Sequence, residues 1–142
     1  MIRDKASEFS SAQDVKGTAA TTVSTNYLDT EIAGGDAAVG EPIEWAVTVT
    51  TAATGGTSVQ FQLFTDDDSA FGTEVKLDET AAIAVATLVK GYTISRRVPF
   101  GCKRYLRMKA VTVGAVSACN VDAGLVKNSY GWQAAPAVGV SY

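Results

Sequence analysis

The 142-residue chain predicts an all-β fold, an antiparallel β-sandwich of jelly-roll type with an extended N-terminal arm. Three observations carry this. Some eight runs alternate apolar or β-branched residues with polar or small ones, the period of two that half-buried strands impose. Turn signals separate the runs at intervals of about eight to twelve residues, the spacing of a sandwich. Composition agrees: Ala, Val, Thr and Gly dominate, charged residues make up 19%, and there are three prolines. A hydrophobic content of 46% is that of a globular domain, and the length suffices for one core without staples.

Residues 1–20 (MIRDKASEFSSAQDVKGTAA) mix charges with small polar residues, and Ile2, Phe9 and Val15 are their only sizeable apolar side chains. Such a segment reads as an arm rather than as part of the core. Residues 21–126 read as the sandwich. Over 21–29, Val23, Thr25 and Tyr27 alternate against Ser24, Asn26 and Leu28, which is a strand pattern. A loop follows over 31–40, with Gly34-Gly35-Asp36 as its turn signal.

The best-patterned stretch is 40–71. Ile43, Trp45, Val47 and Val49 alternate with Glu44, Ala46, Thr48 and Thr50; later Val59, Phe61 and Leu63 alternate with Ser58, Gln60 and Gln62. The link over 51–57 carries Gly55-Gly56 and no large apolar residue, which suits a hairpin loop. Asp66-Asp67-Asp68-Ser69 closes the stretch. Three adjacent carboxylates suggest calcium, which takes several oxygen ligands. The alternating ligands, sixth-position glycine and distant Glu of a calcium loop are missing, however. Asp and Ser equally cap turns by accepting from nearby N–H groups, so the cluster reads as a turn and no metal or cofactor is expected. Phe71 is expected to plug the core edge beneath it.

Residues 74–77 read as a short strand, and 80–89 as strand-like up to Val85 before a turn toward Gly91. The next strand, 92–98, places Tyr92, Ile94, Arg96 and Val98 on one face and ends at Pro99 and Gly101. Residues 105–113 turn Leu106, Met108 and Ala110 inward and Arg107 and Lys109 outward. A turn or hairpin loop over 114–118 leads to the last strand, 119–126, with Val121, Ala123 and Leu125 on one face. Residues 127–142 form a tail whose Tyr130 and Trp132, among glycines and alanines, suit docking on a partner or on the sandwich itself.

Charge is unevenly distributed. Fourteen of the fifteen acidic residues lie at or before Glu79, and seven of the twelve basic ones fall between Lys90 and Lys109. The two sets suggest complementary surfaces, within the fold or between subunits. A pI of 4.8 and the lack of interleaved stacking aromatics speak against nucleic acid. Histidine is absent, which removes the commonest general base and metal ligand. The glycine pairs lack the following helix of a phosphate loop, so an enzyme is not expected. Cys102 and Cys119 have no metal or redox spacing and read as buried free thiols. MIRDKASEF has no apolar signal region, and no run approaches the roughly 20 apolar residues of a membrane span. A soluble protein made in the cytoplasm, without a membrane partner, is expected.

The segments DKASEFSSAQDV, STNYLD, GEPIEWAVTV, VQFQLFTDDDSAF and RYLRMKAVTVGA, in that order, resemble the small jelly-roll cement (decoration) proteins of tailed-bacteriophage capsids. The resemblance runs from about Asp4 to Val126. It implies a structural, homo-oligomeric virion protein on the outer capsid surface, bridging neighbouring major capsid subunits against internal pressure, without catalysis or cofactor. Symmetry favours a homodimer, then a trimer. The expected protein-contact residues are Arg3, Asp4, Phe9 and Gln13 in the arm, Arg96, Arg97, Lys103, Arg104 and Arg107 in the basic stretch, and Tyr130 and Trp132 in the tail. The competing expectations are a tail or baseplate jelly-roll module that binds host saccharide or other tail proteins, and an internal scaffold or head-completion role.

Overall fold

The structure, a computed structural model, describes residues 7–31 and 43–127. These form β1 (Glu8–Asp14), β2 (Gly17–Thr18), β3 (Thr21–Val23), β4 (Leu28–Asp29), β5 (Ile43–Gly55), β6 (Ser58–Asp66), β7 (Val75–Glu79), β8 (Ile83–Ala84), β9 (Thr93–Arg97), β10 (Tyr105–Val113) and β11 (Ala115–Lys127). One sheet runs β1-β11-β5-β9 with β2 beside β11; the other runs β3-β10-β6-β7 with β4 on β10 and β8 on β6. All pairings are antiparallel. If the eight strands on these two paths are renumbered in chain order, the sheets read 1-8-3-6 and 2-7-4-5, the order of a jelly roll.

The alternation seen in the sequence fills the space between the sheets. Phe9, Trp45, Val47, Val49 and Val121 from one sheet meet Phe61, Leu63, Leu106 and Met108 from the other, and each is 0–1% exposed. Burial of side chains this size contributes about 1.5–3 kcal/mol apiece.

Two expectations are corrected. The stretch 40–71 is not a hairpin. β5 pairs with β11 and β9, whereas β6 pairs with β10, β7 and β8. The Gly55-Gly56 corner therefore carries the chain from one sheet to the other, and Gly114 does the same between β10 and β11. A glycine turn at positive φ serves a hairpin and a corner equally well. The choice depends on distant strands that local spacing does not reveal. The two corners nest: the Thr57 N–H donates to the Val113 carbonyl at 2.8 Å.

Residues 8–18 are likewise not an arm. β1 pairs with β11 in the register Gln13↔Val121 and Asp14↔Asn120, and Phe9 and Val15 are fully buried. Two register shifts and a positive φ at Ala12 break the alternation that would have announced this strand. Between β3 and β4 the expected single strand is interrupted. The Ser24 hydroxyl there accepts from the Met108 N–H at 3.1 Å and donates to the Asn26 carbonyl at 2.8 Å. The rest of the arm (1–6), the loop at 32–42 and the tail at 128–142 lie outside the described residues.

Cys102 and Cys119 are both buried and are not bonded to each other. Burial, and secondarily the Asp14 charge, push the Cys119 thiol up to about 11. The thiolate is the reactive form, so a disulfide-exchange reagent at pH 8 is expected to leave Cys119 unlabelled until denaturant is added. Rapid labelling in the native state would contradict this burial.

Candidate functional site

The outer face of the β3-β10-β6-β7 sheet collects most of the basic stretch. Alternation along β10 turns Tyr105, Arg107 and Lys109 outward while Leu106 and Met108 face the core. Each outward cation meets a carboxylate from the acidic half. Arg104 grips Asp29 through two bonds of 2.8 Å each, the fork geometry that suits guanidinium and carboxylate. Arg107 donates to Glu74 Oε2 at 2.7 and 3.0 Å, and Lys109 holds Glu74 Oε1. Lys103 lies 3.7 Å from Asp67.

Aromatic rings are interleaved with these pairs. Tyr27, Phe71 and Tyr105 form an edge-to-face triad with centroids 5.7–6.5 Å apart. Arg107 sits 4.3 Å from the Phe71 ring, Lys109 4.3 Å from the Phe64 ring, and Arg104 5.1 Å from the Tyr105 ring. Such cation–π stacking adds about 0.5–1 kcal/mol per exposed contact. Phe71 is thus built into this outer face, rather than plugging a core edge as expected. On the other sheet, Arg96 holds Asp78 at 2.8 and 3.0 Å, and the same carboxylate accepts the Trp45 indole N–H at 3.1 Å.

These pairs set the titration behaviour. Burial pushes the Glu74 carboxyl up, but bonds from Lys109 and Arg107 outweigh it and hold the group below its ordinary 4.5. At Asp78 burial is likewise outweighed, chiefly by Arg96 and Trp45. At Asp29 the Arg104 bond dominates and lowers the value. Asp66, 1% exposed, has burial opposed by the N–H groups of Thr73, Asp68 and Asp67 and the Thr73 hydroxyl, and it too lies below 3.8. Its oxygens are engaged by its own loop, which is the turn reading of the acidic cluster. Depressed folded-state values add stability above the unfolded carboxylate range and lose it as pH falls through the folded values. The denaturation midpoint is expected to be flat from pH 8 to about 5 and to fall steeply below about 4. A midpoint unchanged at pH 3 would exclude these bonds as contributors.

Most of the expected contact residues are therefore used inside the fold. Phe9 is a core residue, a correction to its expected role, because β1 carries it into the sandwich. Gln13 closes the seam between sheets: its Nε2 donates to the Val23 carbonyl at 2.7 Å and its Oε1 accepts from the Thr25 N–H at 3.0 Å. Arg96, Arg104 and Arg107 are committed to Asp78, Asp29 and Glu74. Arg3, Asp4, Tyr130 and Trp132 lie outside the described residues. Arg97 remains available. It is exposed and, among the described residues, has no ion pair, and its guanidinium lies 5.8 Å from the Phe100 ring. Phe100, missed in the sequence, is 67% exposed in the loop after β9. The Pro99-Phe100-Gly101 signal reads as punctuation; that the loop projects an aromatic ring depends on tertiary placement.

Residues 9–125 match the family model Bbp16, a span that runs from β1 into β11 and takes in both sheets. The chain belongs to this phage-related family. No curated protein matches it.

Proposed function

We propose that this member of the Bbp16 family is a structural virion protein, a cement or decoration subunit that sits on the outer surface of a phage capsid and bridges neighbouring major capsid subunits, itself paired as a homodimer. The observation that carries the proposal is the Arg97–Phe100 projection on a sandwich whose three other described arginines, Arg96, Arg104 and Arg107, are each paired with a carboxylate of the fold. An exposed aromatic ring beside an arginine is the composition of an interface anchor. A rigid jelly roll with an internally balanced face supplies contact area, and bridging asks for area and complementarity rather than for a reacting group.

The test uses shells assembled from the major capsid protein of the cognate phage. The chain is expected to co-sediment with them at saturable stoichiometry and to raise the temperature at which filled heads release DNA. Phe100→Asp is expected to weaken shell binding by about tenfold or more while leaving the thermal midpoint unchanged. Absence of shell binding by the unaltered chain, with binding to tail preparations or host saccharide instead, would favour a tail module.

A further inference from the structure

We propose that the outer edge of β9 is a docking site for an extended, acidic strand of a different virion protein, added to the sheet by backbone pairing. The inference rests on the shell-bridging reading and names the recognition element within it. In the antiparallel β5–β9 pair, the Val49 N–H donates to the Tyr92 carbonyl and the Val98 N–H to the Ile43 carbonyl, at 2.8 and 2.9 Å. Alternation then directs the N–H and C=O groups of Ile94 and Arg96 toward β5. Those of Thr93, Ser95 and Arg97 point away from it, and no described strand pairs with that side. All three residues are exposed. Three donors and three acceptors therefore stand in a row along about 13 Å of strand.

The other edges are closed to such pairing or too short for it. β1 is broken by two register shifts, and Asn120 Nδ2 caps the Ala12 carbonyl while Asp122 accepts the Ala12 N–H. β3 has three residues, and Gln13 takes the Val23 carbonyl. β7 carries a register shift against β6. β9 pairs with β5 in unbroken register over five residues. Sheets guard their edges by bulges, brevity and covering side chains. This sandwich applies those devices elsewhere and leaves β9 straight.

Charge selects the occupant. Arg97 and Lys90 flank the edge, and among the described residues neither has an ion pair. Of the nearby acidic groups, Asp78 is held by Arg96 and Trp45, and Glu44, opposite Arg97 in the β5–β9 pair, is buried and accepts from the Ser95 hydroxyl at 2.7 Å. A strand with a carboxylate within reach of Arg97 and an apolar side chain against Phe100 satisfies both features, and strand addition supplies the remaining affinity through the backbone. The edge of a second copy would bring two further uncommitted cations to the same seam. Residues 128–142 of this chain contain no Asp or Glu.

Shells of the cognate major capsid protein serve as the probe. Arg97→Glu and Ser95→Pro are each expected to lower shell affinity about tenfold or more, and Ser95→Ala to leave it nearly unchanged. Proline removes an outward N–H without breaking a β5 bond, while the alanine variant accounts for the lost hydroxyl bond to Glu44. Amide exchange at Thr93, Ser95 and Arg97 is expected to slow on binding, a readout that holds even if the proline variant fails to fold. Shell binding with unchanged affinity in Arg97→Glu and unprotected amides would overturn the edge site alone. Failure of the unaltered chain to bind shells would overturn the bridging reading together with this one. A β9-dependent dimer in sedimentation, with shell binding intact in Arg97→Glu, would make the occupant a second copy and overturn the proposed partner.

Discussion

Replacing Trp45 with alanine is expected to destabilise the protein by about 4 kcal/mol, close to the limit of what one core substitution costs. The indole is 1% exposed and lies between the sheets, so its removal leaves a cavity that strands fixed on both sides by pairing cannot collapse. It also removes the N–H that, with Arg96, holds Asp78 across the β9–β7 side of the sandwich. Native domains hold only about 5–15 kcal/mol in total, so the variant would sit near its unfolding threshold at 37 °C. Trp45→Phe keeps most of the volume but not the donor, and about 1–2 kcal/mol is expected for it. Urea titrations of both variants separate the two contributions. A Trp45→Ala cost under about 1 kcal/mol would show that the core relaxes around the site.

The second large effect is expected at the nested corners. Gly56 has φ +70°, and a Cβ there would lie 2.6 Å from Val116 Cγ2 and 2.9 Å from the Val116 nitrogen. Gly56→Val adds a β-branched side chain in a backbone region that such residues avoid, against a neighbour whose backbone cannot step aside. About 3–5 kcal/mol is expected from the sum of conformational strain and overpacking. Gly72→Ala is the control, because a Cβ there meets nothing within 4 Å. Equal midpoints for the two variants would refute the nesting of the corners as a stability element.

The strands that could be read from sequence are those whose two faces differ along their whole length. β10 is the clearest: Leu106, Met108 and Ala110 against Arg107 and Lys109 mark both its bounds and its orientation. β1 fails that condition, since its bulges put Phe9 and Val15 out of step and leave small polar residues between them. Sheet membership was hidden at the Gly55-Gly56 corner because both alternatives share the same turn chemistry. The charge pattern was visible, but not its use. Asp29 and Arg104 are 75 residues apart in the chain and Glu74 and Arg107 are 33 apart, so only the fold reveals that the acidic half answers the basic stretch internally. Arg97 stood out no more than its neighbours until their partners were assigned. Phe100, alone among glycine and proline, offered no periodicity to read.

The pairing of β1 with β11 joins the first strand of the sandwich to the last, and the Ser7 hydroxyl reaches the Leu125 carbonyl across 118 residues of chain. β11 also lies between β1 and β5, so the larger part of one sheet has no template until that strand exists. Assembly of that sheet therefore waits until β11 has been made. Closure of so long a loop places folding in the slow, millisecond-to-second class of non-local β topologies. A nascent chain stalled before Ala115 would expose the faces of β5 and β10 to any neighbour, and such exposed apolar surface and unpaired strands are prone to aggregate.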